Sequence, residues 1–435
     1  MNKLSLLILI FLFVNNCSLD KKSGLWTQDK NLKEDNQNQN QKKKLFKKEA
    51  VNTVEFNSNL NIEFPPSKRI NKFNSIDNNN ALVSYKGKLK SISKYKFSKI
   101  SRFNEFDPEF IFSKDDLIFF DKKGSIIKFD NNSKLIWSKN NYTKSEKKLM
   151  PILFMASQGD NLFIADSLSN YYLINITNGE TIWSNTHTSP FNSQVKIYKD
   201  KVFVVDSENT LNCYSIKDGS KLWYLKTENS FINSSKKLSI VLKNNNVYFA
   251  NSLGDITAVD VNNGSLIWQI STQNSDNYEE IFNFKTSEII AGNKSILFSN
   301  NKNEFYSVDQ ISGIINWKQK INSNVRPTLI GNLILTISME GYLYIIDNKT
   351  GNIIKITDVF SKFKDKQRNN IKPIGFLVGT YDIFLTTSNG SLLVIDKLTG
   401  KTKSTFKFSK GKLSRPLSLN QDMFIIKDDS IIKLN

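Results

Sequence analysis

From residue 110 to the C-terminus, apolar and polar positions alternate over short runs, and one kind of turn breaks the runs at near-regular intervals. Tyr344 to Asp347 and Leu393 to Asp396 are apolar, β-branched stretches that end in a carboxylate, the pattern of a strand running into a turn. A Gly follows each, preceded by Asn, Asp, Ser or Thr. Such residues cap tight turns with their side chains, and Gly tolerates the positive φ the turn requires. Five of these segments continue into a strand carrying Trp: Asp130 to Trp137, Asn175 to Trp183, Ser215 to Trp223, Asp260 to Trp268 and Asp309 to Trp317. The turn residues are Ser133, Gly179, Gly219, Gly264 and Gly313. Two further copies keep Gly351 and Gly400 but carry Lys355 and Ser404 in the Trp slot.

The turns run from 133 to 400 in six steps, a mean period of about 44.5 residues. Each interval has room for four short strands, for example Ser239–Val241, Val247–Ala250, Ile256–Val259 and Leu266–Ile270. Four strands at this period predict an all-β propeller of four-stranded blades. Counted from Ala81, the remaining 355 residues divide into eight blades, with seven as the alternative. After Thr402 to Phe408 completes the seventh sheet, only three strands remain: Leu413–Leu419, Met423–Ile426 and Ile431–Leu434. Lys90–Phe97 reads as a strand without a neighbour in sequence. Pairing it with the last three closes the ring and removes two open edges. Five of the six Trp in the chain occupy the one slot, which predicts indoles docking between neighbouring sheets.

The first eighty residues follow other patterns. After Lys3, the eleven-residue run Leu4 to Val14, apolar except for Ser5, has the length of a signal-peptide core and is too short to span a bilayer. Cys17 follows, and the arrangement resembles a bacterial lipoprotein signal in which that cysteine is acylated. Val14-Asn15-Asn16 departs from the usual small residues before it. Ser18, where an Asp would favour inner-membrane retention, leans toward the outer membrane. Residues 17–50 are polar and low in complexity, the composition of a disordered tether. Residues 51–80, with Pro65-Pro66 and Asn78 to Asn80, read as an extended lead-in crossing the surface of a propeller at 81–435.

Charge and candidate chemistry narrow the function classes. The formal charge is +19, but the lysines are spread through tether and loops, with no clustered Arg and no basic helix to suggest nucleic acid. Cys213 falls in a strand slot shared with Ala258, Ser307 and Ile345 and reads as a small buried thiol. His187 is the only histidine and reads as a solvated loop residue that cannot build a metal site alone. No phosphate loop or serine elbow is present.

Taken with its Asp, turn Gly and docking Trp, the repeat resembles the quinoprotein-type (PQQ-like) propeller repeat over residues 81–435. Two groups share that repeat: quinone-dependent dehydrogenases, and BamB-like lipoproteins of the outer-membrane protein assembly machine. The dehydrogenases resemble one another in a vicinal Cys pair and a calcium or lanthanide site, neither of which this chain shows. The second resemblance implies a non-enzymatic periplasmic scaffold with no cofactor or metal. It implies a monomer within a hetero-complex, docked on BamA-like POTRA domains beside other assembly lipoproteins and held to the membrane by an N-terminal lipid. By loop position it implies contacts at 228–235, with Phe231 and Ile232, and at 273–286, with Glu279, Glu280, Phe282 and Asn283. The residues themselves favour another reading of Ile281, Phe282 and Phe284, as the start of the next blade's inner strand. A quinone- or ligand-binding propeller and a glycan-binding lipoprotein are the competing readings. A basic insertion, Asp358 to Lys372, reads as a solvated loop or a surface for lipid headgroups or a partner.

Overall fold

Apolar side chains on both faces of the inner strands leave each small sheet unable to stand alone, so the sheets stack on one another. The computed structural model describes residues 55, 62–68, 76, 78–79, 82–100, 103, 105–229, 236–272 and 285–435. Within the unit Asn52–Asn435 they form eight four-stranded antiparallel sheets arranged as the blades of a ring. The fourth blade shows the plan: β14 (Ile240–Lys243), β15 (Asn246–Ala250), β16 (Ile256–Asp260) and β17 (Leu266–Ile270) pair in sequence order from the axis outward. The middle strands β15 and β16 are almost wholly buried, whereas β17 exposes Leu266 and Ile267 at the rim.

The eighth blade is assembled from both ends of the chain. β30 (Leu417–Leu419), β31 (Asp422–Ile426) and β32 (Ser430–Leu434) are joined by β1 (Ser91–Lys96), which pairs antiparallel with β32. Aromatic packing fixes this seam to the first blade: Phe424 lies 4.9 Å from Phe112 and 5.9 Å from Phe110, ring to ring, and Tyr95 lies 5.6 Å from Phe129. Lys433 Nζ reaches both Asp422 (3.0 Å) and Asn131 Oδ1 (2.6 Å) across it.

A register shift recurs where the third strand meets the fourth, next to Cys213, Ala258, Ser307 and Ile345 among others. Trp223, Trp268 and Trp317 stand opposite the first three of these, and Lys355 opposite Ile345. The bulge turns each indole toward the next blade. Trp137, Trp183, Trp268 and Trp317 donate Nε1–H to the carbonyls of Ile176, Ile216, Gln310 and Asn348, each one residue past the neighbouring strand's end. A Cβ on Gly313 would lie 2.7 Å from the Trp268 ring, and its φ of +73° is unfavourable for any other residue. Where the Trp is missing, Lys355 Nζ makes the corresponding bond to Leu398 O at 3.0 Å.

The insertion at Asp358 to Lys372 is a folded corner rather than a solvated loop. Val359, Phe360 and Ile371 are buried, and Arg368 on α1 (Asp365–Arg368) makes a bidentate pair with Asp358 at 2.7 and 3.1 Å. Three apolar residues spaced through a basic stretch anchor it.

Two predictions follow from the seams. Trp268→Ala should cost about 3–5 kcal/mol in urea unfolding. Trp268→Phe should cost about 1 kcal/mol more than Trp223→Phe, because Trp223 Nε1 has no acceptor among the described residues to lose; equal losses would remove the hydrogen bond from the account. Burial pushes the Cys213 thiol up to about 12. Iodoacetamide at pH 8 should therefore leave Cys213 unmodified in the folded chain and alkylate it once guanidinium is added.

Candidate functional site

Propeller geometry brings the first strand of every blade to the axis, so polar residues at the starts of these strands meet although they are far apart in sequence. Gln194 of the third blade donates from Nε2 to Glu109 of the first (3.2 Å) and Glu288 of the fifth (3.3 Å). Glu109 is also bridged by Lys237 (3.0 Å) and Glu288 by Arg326 (3.0 Å), while Lys412 reaches Asp107 (2.5 Å). Each of these carboxylates thus faces an ammonium or a guanidinium, and since Lys237, Arg326 and Lys412 are the buried partners, the pairing offsets the cost of desolvating the cations.

The lead-in enters this network. Asn78, held at φ +57°, donates from Nδ2 to Gln194 Oε1, Ser239 Oγ and the carbonyls of Ile240 and Ile289, and accepts from Lys196 Nζ at 2.5 Å. Asn79 pairs in both directions with the Leu329 backbone. One turn of chain therefore touches four successive blades. Where a surface crossing was expected, these two asparagines reach the axis, because only there do the first strands offer unpaired backbone groups on several sides.

The opposite mouth of the ring is a cavity of about 480 Å³. Lys236, Lys285, Lys372, Lys410 and Lys412 line it, with Glu105 and Asp107 as its carboxylates. Burial lowers Lys236 to about 8, against the pull of Asp107 and Glu288, and lowers Lys196 deeper in the ring to about 8 as well. Burial raises Glu288, yet Arg326 and Lys237, Lys236 and Lys196 outweigh it and hold the carboxyl below its ordinary 4.5. For Asp107 the same desolvation is outweighed by Lys412, Lys236 and Lys237.

The residues singled out by loop position, Phe231, Ile232, Glu279, Glu280, Phe282 and Asn283, lie outside the described residues, as does Cys17. What the structure places is the stems of the two loops. Glu228 and Lys236 flank the first, Thr272 and Lys285 the second, and Lys236 and Lys285 both face the cavity. The lysine mouth itself went unread in sequence, although a signal exists. Lys236, Lys285, Lys372 and Lys412 all fall just ahead of an inner strand, at nearly the same point of the repeat.

His187 also differs from its reading as a solvated residue. Its side chain is 7% exposed, with Nε2 3.0 Å from Asp206 and Nδ1 3.1 Å from the Tyr214 hydroxyl, and its ring stacks on Phe191. It follows Trp183 by four residues, as Thr227 follows Trp223 and Thr272 follows Trp268. Thr227 bonds Asn251, so the slot is one that ties a linker to the next blade's inner turn. Among the described residues no group of three or more His, Cys, Asp or Glu side chains gathers as metal ligands, and no helix is long and apolar enough to cross a membrane.

The axial charges set a pH signature. Lys196 and Lys236 lose their protons near 8 in the folded chain but only near 10.5 once unfolded, so between these values the unfolded state binds more protons and stability rises with pH. Cys213 opposes this above its ordinary value of 9.0, and Tyr142, Tyr172 and Tyr214 above 10.0, because burial raises all four and the unfolded chain ionises first. The urea midpoint should therefore climb from pH 8 to 9 and turn over at higher pH. Lys196→Met should flatten the climb; an unchanged slope would show that this ammonium is not desolvated.

Comparison with known proteins agrees with the ring. No curated protein matches the chain. Among solved structures, BamB from Moraxella catarrhalis superposes with a TM-score of 0.66 at 14% identity, covering 80% of this chain and 99% of that one. A quinohemoprotein alcohol dehydrogenase from Pseudomonas putida HK5 superposes with a TM-score of 0.59 at 11% identity, covering 84% and 78%. The C-terminal WD40 domain of Sif2 gives 0.58 at 12%, covering 81% and 99%. At these identities the likeness is one of fold. Sequence separates them, for the family model described as outer membrane protein assembly factor BamB matches residues 122–357, more than half of the 435. With that match laid over an eight-bladed ring, the chain belongs to the BamB family of outer membrane protein assembly factors.

Proposed function

We propose that this chain is a non-enzymatic scaffold of outer-membrane protein assembly, anchored by a lipid on Cys17 at the periplasmic face of the outer membrane. In this role it docks on the POTRA domains of a BamA-like partner, alongside other assembly lipoproteins, and promotes insertion of β-barrel proteins. The observation that carries the reading is the family match across residues 122–357. Two features support it. The axial carboxylates Glu109 and Glu288 are paired with Lys237 and Arg326, which makes them parts of ion pairs rather than of a metal-binding set. Lys236 and Lys285, which end the segments that follow the third and fourth blades, line one and the same mouth, and loops between blades are where a rigid ring carries its contacts.

A membrane pull-down of the full-length chain, against a Cys17→Ala control, tests this. BamA-like protein and its companion lipoproteins should co-purify with the wild type, and the control should leave the membrane fraction. Glu279→Lys with Glu280→Lys should reduce recovery severalfold without moving the unfolding midpoint. Recovery of a quinone chromophore or of glycan, with no BamA-like protein, would overturn the assembly role and leave a ligand-binding propeller.

A further inference from the structure

Among the described residues, the lysine-lined mouth carries more positive than negative side chains. Five lysines from the fourth, fifth, seventh and eighth blades line a cavity of about 480 Å³ together with the carboxylates Glu105 and Asp107, and Asp107 is bridged by Lys412. Lys285, Lys372 and Lys410 are exposed, while Lys412 is buried. A second observation concerns Arg415, which stands behind the lining residues and not among them. It follows the lining residue Lys412 by three positions and packs its Cβ and Cγ against Gly375, which adjoins the lining residues Pro373 and Ile374. Among the described residues, all three of its guanidinium nitrogens are buried without a hydrogen-bond partner. A buried guanidinium left unpaired is costly, and a planar donor fork is suited to phosphate oxygens. Gly375 lacks the side chain that would strike Arg415, so the close approach of the two strands is built in.

We infer that this mouth is a binding site for a phosphate-class anion carrying two or more charges, with Lys285, Lys372 and Lys410 receiving it at the rim, Lys236 and Lys412 holding it below, and the Arg415 guanidinium backing the lining from behind. The cavity is of small-ligand size, and its lining of lysines, with only Met339, Pro373 and Ile374 apolar, suits a charged group better than a hydrocarbon one. A phosphorylated lipid headgroup and a free polyphosphate present the same chemistry. The inference does not rest on the assembly role, since it uses the cavity alone.

Titration calorimetry with inorganic pyrophosphate at low salt, on the full chain carrying Cys17→Ser to exclude any acyl group, is the test. Saturable binding is expected, weakening as salt is raised. Lys285→Glu with Lys372→Glu should weaken it by about tenfold at an unchanged unfolding midpoint. Arg415→Lys, which keeps the charge but loses the fork, should weaken it by a smaller factor. Flotation with phosphatidylglycerol against phosphatidylcholine vesicles then separates the sources. Capture by the first alone, lost in the double variant, assigns a lipid headgroup, whereas pyrophosphate binding without capture assigns a soluble anion. No saturable pyrophosphate binding by the folded wild type, or binding indifferent to the double variant, would overturn the site.

Discussion

The ring depends on one contact made over and over: an indole laid on the turn of the next blade, with its N–H given to the carbonyl just past that blade's third strand. A four-stranded sheet of about twenty residues cannot bury enough apolar surface by itself, so every blade draws its stability from its neighbours. The contact needs three local devices together. A bulge aims the indole, a turn residue at positive φ removes the atom that would block it, and an Asx or Ser cap holds that turn. At Gly313 the second device is required twice over, since its φ of +73° and the 2.7 Å approach of Trp268 both exclude a Cβ. Lys355 shows that the seam tolerates another donor, reaching Leu398 O in place of an indole.

Closing the ring turns these local contacts into a single body. The last seam has no indole and uses a cluster of Phe110, Phe112, Phe424 and Tyr95 together with Lys433, so the two ends of the chain are joined by apolar area and one buried cation. Closure also forces polar strand starts from distant blades into one low-dielectric channel. There Glu109 and Glu288 are shared through Gln194, and Asn78 from the lead-in satisfies backbone carbonyls of two blades. The channel is therefore occupied on one side by the chain's own asparagines and open on the other as a cationic cavity.

The described blades form one continuous ring. Its stiffness comes from the middle strands, its edges are short, and the linkers between blades are free to vary without disturbing the seams. Lys236 and Lys285, the described residues that follow the two segments, both line the cationic mouth, which gives that end of the ring an electrostatic sign of its own.

The sequence by itself determined what is local and repeated. The Asp, Gly and Trp spacing set the blade, the period set the number of blades, and the unpaired strand at Lys90–Phe97 announced how the ring closes, because turn chemistry and strand alternation are short-range properties. Even His187 was legible in principle, as the fourth residue after Trp183 in a slot that Thr227 and Thr272 share. Only the tertiary structure decided what meets at the axis. Lys236, Lys285, Lys372 and Lys412 are separated by up to 176 positions, Arg415 and Gly375 by 40, and Asn78 from Ile289 by 211. No periodicity along a chain reports the sign of a potential summed over eight strands that converge on one line; that sum exists only once the ring is closed.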